Sequence, residues 1–292
     1  MGSTAWGAGT RRRRLALGAA SALIVVVVGT FAWGRWSTST TPLSIDEVVA
    51  EVGSSVPAGS TSIAPSTSTG AAVSPPSLVE PSAPSAPSAT TVPAVSPGVY
   101  RYLTNGQEGI DALSRPVRAY PAASAVIVSP SGCGMRVEWR PLEERREWFE
   151  ICPEQGGWRL VQYGSFHSFF GTDDERSVIC PDDAWLVAPG SEPGDAGVAT
   201  CAGSGLVDVR TSTFRRRDVA TVDGSQVEVV VVDVAVVTSG ATTGTSTREL
   251  WLAPDGLPVV WSDEVSGASE SVVGMVNYDE RFTLRVASLE PA

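Results

Sequence analysis

His167 is the one histidine of this 292-residue chain, and it sits in its densest aromatic stretch, Phe166-His167-Ser168-Phe169-Phe170-Gly171. An imidazole titrating near neutrality can take a proton from a hydroxyl. Ser165 or Ser168 would then be the nucleophile, and Asp173 or Asp174 the carboxylate that orients the ring, giving a hydrolase. No Gly-x-Ser-x-Gly elbow accompanies the cluster, and that elbow is what usually exposes a nucleophilic serine. The competing reading is a core or rim histidine in an aromatic strand. His167 is therefore the candidate for catalysis, with no catalytic residue assigned. Phe166, His167, Phe169 and Phe170 are the candidate ligand contacts.

Other groups point to less chemistry. Asp173-Asp174-Glu175 and Asp182-Asp183 offer the oxygens that calcium prefers, but neither follows the spacing of a calcium loop. Solvated turn acids are the simpler account, and no metal or other cofactor is expected. Asp233 interrupts a valine-rich run, Gln226 to Thr238. It is either a buried functional acid or an ordinary one paired with Arg215, Arg216 or Arg217, since buried acids need partners. Six tryptophans, Trp139, Trp148, Trp158, Trp185, Trp251 and Trp261, can line an apolar cavity or pack a sheet face. There is no lysine, which excludes a phosphate-loop site and Schiff-base chemistry. From Gly98 onward 16 arginines face 28 acids, a balance that excludes nucleic acid as a partner.

Cys133, Cys152, Cys180 and Cys201 are the four cysteines. An even number in an oxidising compartment implies two disulfides. The midpoint of the first two falls in Pro141-Leu142-Glu143-Glu144, that of the last two in the Pro189 to Gly194 loop. Hairpin symmetry therefore pairs Cys133 with Cys152 and Cys180 with Cys201. Ile151-Cys152-Pro153-Glu154 before Trp158 is echoed by Ile179-Cys180-Pro181-Asp182 before Trp185.

The elements that must position these residues are mostly strands. From residue 98 short β-rich runs alternate with turn residues, and no 3.6-residue stripe stands out. Strands are expected at 98–104, 115–120, 124–129, 134–140, 146–152, 157–164, 167–171, 176–180, 184–188, 197–201, 206–216, 218–222, 226–238, 247–253, 257–265, 270–277 and 281–289. Thr104-Asn105-Gly106-Gln107 and Val222-Asp223-Gly224-Ser225 read as two-residue hairpin turns. Ala253-Pro254-Asp255-Gly256-Leu257 reads as a three-residue one. The fold expected for 98–292 is mainly β, an antiparallel meander forming a curved open sheet, half-barrel or sandwich. A run of valines such as 226–238 implies a strand covered on both faces.

Upstream, Arg11 to Arg14 precede an uncharged apolar run from Leu15 to Trp33. As a helix it reaches about 28 Å, close to the ~30 Å hydrocarbon core of a bilayer. The arginines place residues 1–14 in the cytoplasm as a basic tail, 15–36 across the membrane, and the rest outside. A cleaved signal peptide is the rival, with too long a core and a poor cleavage site. Ser44 to Glu47 forms a capping box before the stripe Ile45, Val48, Val49 and Val52, a short helix over 44–52 that either frays or docks on a partner or the bilayer. The Ser/Thr/Pro/Ala-rich remainder of 37–97 reads as a disordered linker, a tether between membrane and β-domain.

The stretch Arg248-Glu249-Leu250-Trp251-Leu252-Ala253-Pro254-Asp255-Gly256-Leu257-Pro258-Val259 resembles a hairpin of bacterial lipoprotein-carrier-like envelope proteins. That resemblance implies a curved, unclosed antiparallel sheet around an apolar groove. The chain departs from the family in lacking a helix to plug the groove and in its two disulfides. Its arginine bias and tether-plus-β-domain plan also look like single-pass membrane proteins of actinobacteria. Neither likeness supplies a site residue. The functional expectation is a membrane-attached protein outside the cell that binds a lipid, a cell-wall component or an envelope protein. The alternatives are a hydrolase centred on His167 and an assembly factor acting through protein contacts.

Overall fold

The computed structural model describes residues 42–55, 95–111, 117–169, 172–271 and 274–292. The basic tail, the Leu15–Trp33 run and most of the linker lie outside the described residues. Among the described residues no helix is long and apolar enough to cross a membrane.

One helix, α1 (Ile45–Ser55), precedes fourteen strands: β1 (Gly98–Ile110), β2 (Arg118–Ala119), β3 (Ala123–Ser131), β4 (Gly134–Leu142), β5 (Arg145–Glu154), β6 (Gly157–Phe169), β7 (Thr172–Ile179), β8 (Trp185–Val187), β9 (Ala196–Gly203), β10 (Leu206–Val222), β11 (Ser225–Gly240), β12 (Thr242–Leu252), β13 (Pro258–Ser271) and β14 (Gly274–Val286). All belong to one antiparallel sheet, mostly of sequential neighbours; the exceptions are β3 on β1, β8 on β6 and β9 on β7, and β1 also pairs with β14 from Tyr102↔Val286 to Ile110↔Tyr278. The path thus returns on itself. On the far side, however, β7 and β9 share a single described residue pair, Ile179↔Ala202. The result is a strongly curved sheet splayed at β7–β9, not an even barrel.

The concave face is packed solid. Trp139 and Trp261 are fully buried. Trp139 stacks on Phe282 at 4.2 Å between centroids, and Phe149 meets Trp261 edge-on at 5.1 Å. Edge-to-face and tilted ring pairs at these separations add to the stabilisation that burial brings. Trp158 is buried in the same interior, while Trp148 is buried on the convex face with the Arg136 guanidinium 4.5 Å over its ring. Val231 and Val232, consecutive and therefore on opposite faces, are both fully buried, so the valine strand is covered on both sides there. Farther along, Val237 is 58% exposed, and the coverage ends.

Turn chemistry explains several connections. Val222 and Ser225 are opposed, with Asp223 and Gly224 at φ 47° and 78°, the backbone a two-residue turn requires. In the β12–β13 hairpin the Gly256 amide donates to Ala253 and the Ala253 amide to Leu257, with Gly256 at φ 89°. Both expected disulfides form, Cys133–Cys152 and Cys180–Cys201, with Cα atoms 5.3 and 4.2 Å apart. Cys180 and Cys201 follow directly on the Ile179↔Ala202 pair, so their bridge reinforces the thinnest seam of the sheet.

Five expectations need correction. The run 167–171 is no separate strand, since β6 continues to Phe169 and β7 begins at Thr172. Asn105-Gly106 is not a turn; both residues lie inside β1 and pair with Thr283 and Phe282. A Cβ on Gly106 would come within 2.6 Å of Phe282 Cβ, so glycine serves close strand approach there. The runs 206–216 and 218–222 are one strand, β10, with an irregularity between Phe214 and Arg216. The run 270–277 straddles a hairpin, since Ser271 pairs with Gly274. Finally, α1 does not stand as an isolated, frayed helix but packs on the domain. Its capping box closes, with Ser44 N donating to Glu47 at 2.9 Å and Glu47 N to Ser44 Oγ at 3.2 Å. Its stripe packs on the convex face of β1 and β3, with Val48 fully buried beside Val99, Ala125 and Ile127. Arg140 reaches Glu51 at 2.9 Å, and Pro42 forms a β-bridge to Leu142. The domain itself supplies the tertiary contacts that a short helix lacks in isolation.

Candidate functional site

Strand alternation divides the aromatic cluster of β6. Phe166 and His167 are consecutive and point to opposite faces. Phe166 lies on the convex side, with the Arg146 guanidinium 4.3 Å over its ring. His167 points inward, in register with Arg145 on one side and Asp174 on the other, edge-on to Tyr278 at 5.2 Å. Burial pushes its pKa well down, and Arg145, Arg176 and Arg118 push the same way. The imidazole is therefore neutral at pH 7. Asp174, the inward candidate for orienting it, is ion-paired with Arg176 at 2.6 Å. Ser165 shares the inner face with His167, while Ser168 and Asp173 are opposed on the convex face. The side chains of Phe169 and Phe170 lie outside the described residues.

The inner face around His167 carries a cluster of buried ions that composition does not reveal. Arg145, 1% exposed, donates to Glu280 through Nε at 3.0 Å and Nη2 at 2.7 Å, and also bonds Glu147. Arg248 bonds Glu147 in turn and donates through Nε to Asp263 at 2.8 Å. Tyr120 donates to Glu280. Beside it Arg118 holds Glu108, which also accepts from Tyr278 at 3.2 Å. Two guanidiniums, Arg145 and Arg248, thus face three carboxylates, and the excess negative charge has one physical outlet, retention of a proton. Burial raises the Asp263 carboxyl to about 7, with Glu147 and Glu280 adding to the effect against Arg248. Burial likewise raises Glu280 despite Arg145, whereas for Glu147 the two arginines outweigh burial and hold it low. Such a cluster confers specificity of packing more than stability.

These residues escaped the sequence reading, although a trace was there. Glu280 precedes Phe282, Leu284 and Val286 at strand spacing, and Asp263 follows Trp261 by two. A charge in phase with an apolar stripe faces inward.

The accessible site lies on the other face. Asp233, Glu249, Ser262, Thr283 and Asn105 form one register row across β11, β12, β13, β14 and β1. Ala235, Thr247, Glu264 and Arg281 form the next row on that face. Together they line a groove of about 600 Å³ whose floor is reached by Arg248, Asp263 and Phe282. Asp233 is the paired acid of the two readings, 3.3 Å from Arg215 and partly exposed. At the next outward position of β12, Trp251 donates Nε1 to Glu249 at 2.8 Å and carries Arg216 over its ring. His167 is not among the residues of this groove. No group of three or more His, Cys, Asp or Glu among the described residues is placed to hold a metal ion. Of the acidic turns, Asp182 is bound by Arg159 at 3.3 Å. Arg159 also holds Glu154 at 3.1 Å, so one guanidinium joins both copies of the cysteine-proline echo.

No protein-family model matches this chain, and no curated protein matches it. Among solved structures, the hypothetical lipoprotein YmcC of Escherichia coli K12 aligns over 61% of this chain and 85% of its own, at 9% identity and a TM-score of 0.27. That likeness is too weak to transfer a property.

Proposed function

We propose that this protein is a non-catalytic binding protein of the cell envelope, held by its N-terminal apolar segment, whose outer groove takes a neutral, hydroxyl-rich ligand of the cell-wall polysaccharide kind. One observation carries the reading. The sizeable groove of about 600 Å³ is open and lined by hydrogen-bonding side chains, while the concave face is filled by rings and ion pairs. Carboxylates and the Asn105 amide can each engage two neighbouring hydroxyls, and Ser262, Thr247 and Thr283 add single donors and acceptors. At the edge, Trp251 carries Arg216 over its ring and positions Glu249 through Nε1. Acids outnumber arginines along the walls, which disfavours an anionic ligand. Among the described residues the interior is filled by rings and ion pairs, which disfavours a lipid held there. Burial keeps His167 neutral, and Arg176 takes up the Asp174 carboxylate that a hydrolase would use to orient it.

The test is co-sedimentation of the detergent-solubilised full chain with insoluble cell-wall polysaccharide stripped of protein and lipid. Binding should occur, compete with soluble fragments of the same polymer, and weaken at least tenfold in Trp251→Ala and Glu249→Ala. Equal binding by wild type and both variants rejects the groove as the site, and no binding to any neutral polysaccharide rejects the ligand class.

A further inference from the structure

The docked position of α1 bears on how far the β-domain stands from the membrane. If the β-domain hung from a tether of residues 58–97, it would ride on the order of 35 Å out as a coil and 120 Å if extended. The structure places the first point of attachment much earlier. Pro42 is already bridged to Leu142, Val48 is buried against β1 and β3, and Glu51 is ion-paired with Arg140. Described contacts with the domain resume at Val95, which is buried in the main core. Since Pro42, α1 and Val95 are all fixed to the domain, its spacing from the bilayer is set upstream of Pro42 and not by the length of chain between Ser55 and Val95.

We propose that the β-domain is held directly at the outer membrane–water boundary, with its β4–β5 end facing the lipid surface. This rests on reading Leu15–Trp33 as a membrane span. Five residues separate Trp36 from Pro42, and even fully extended they reach no more than about 20 Å. Leu142 directly precedes the Glu143-Glu144 turn that joins β4 to β5, so that end of the sheet is drawn toward the bilayer. The turn is acidic, and the short connection, not attraction to anionic headgroups, keeps it there. The opposite end, with the Cys133–Cys152 bridge and the β10–β11 turn, points outward. The Ser/Thr/Pro-rich stretch thereby becomes a side loop, free to vary in length without moving the domain.

The experiment uses the full chain reconstituted in phosphatidylcholine vesicles that carry a rhodamine-labelled lipid as energy acceptor. A donor dye is attached in turn to Glu143→Cys in the β4–β5 turn and to Ser225→Cys at the opposite end, both exposed positions. Transfer should be strong from 143 and several-fold weaker from 225. Inserting forty Gly/Ser residues after Gly70 should change neither value. The same insert after Ser39 should cut transfer from 143 several-fold. A fall in transfer from 143 on lengthening at Gly70, or equal transfer from both sites, overturns the proposal. Flotation of the unlabelled chain with vesicles tests the span independently: a chain that does not float refutes the span and the proposal with it, while leaving polysaccharide binding to its own assay.

Discussion

Replacing Asp263 by asparagine keeps the side chain's shape and removes one negative charge from the buried ion cluster. In the fold this carboxyl titrates at about 7, against an ordinary 3.8. Because the folded value is raised, the folded state holds the proton more tightly than the unfolded chain. The stability this brings is complete below pH 4 and is lost as pH rises toward 7, then levels off. At 1.36 kcal/mol for each unit of pKa, the loss between pH 5 and pH 8 is about 2–3 kcal/mol. An asparagine side chain has no such proton to lose. Its carbonyl can accept from Arg248, and its amide occupies the place of Asp263 Oδ1, which has no hydrogen-bond partner among the described residues. Urea unfolding of residues 42–292 followed by tryptophan emission, at pH 5, 6, 7 and 8, reads the effect, since Trp139 and Trp261 are fully buried. The stability of Asp263→Asn relative to wild type should rise by about 2–3 kcal/mol over that range. Taking the difference between the two proteins cancels the titrating groups outside this cluster. A difference that stays constant with pH, or falls, refutes the account of the cluster as one carboxylate in excess.

His167 acts in the opposite sense. Its folded pKa is depressed, so wild type should lose stability as pH falls below about 6.5, by up to ~1.4 kcal/mol per unit, and His167→Gln should lack that loss in the same urea series. Gly106→Ala should destabilise by about 1–3 kcal/mol in thermal melts, because the added methyl has no space against Phe282 and the Arg281 carbonyl. The double variant Cys180→Ser/Cys201→Ser removes a bridge closing 21 residues and should cost about 3 kcal/mol. Amide exchange should then quicken most in β7 and β9, where one described residue pair is left to join the strands.

Particular residues show why some of this was legible in the sequence. Cys133 and Cys152 followed from hairpin symmetry because sequential antiparallel strands put residues equidistant from a turn opposite each other; the same arithmetic reached Cys180 and Cys201, although β8 lies between β7 and β9 and pairs with β6, so no hairpin joins that pair. Asp223-Gly224 announced a turn since its backbone requirement is local. The capping box of α1 was readable for the same reason, its donors and acceptors lying three residues apart. Asn105-Gly106 carries the same dipeptide signal and yet stays extended, because β14 pairs with it on one side, the Tyr120 amide donates to the Gly106 carbonyl on the other, and Phe282 occupies the space over the glycine.

The amino-acid order alone thus determined strand-rich character, antiparallel connectivity by short turns, both cysteine pairs and the N-terminal apolar run. Each depends on interactions across a few residues or on periodicity along one strand. The tertiary structure decided which buried charges pair with which, that the groove lies on the convex face of β11 to β1, and that α1 belongs to the domain. Those outcomes join residues more than a hundred positions apart, such as Arg145 with Glu280 and Asp233's row with Asn105. Curvature and closure of the sheet select such partners, and no local pattern along the chain encodes them.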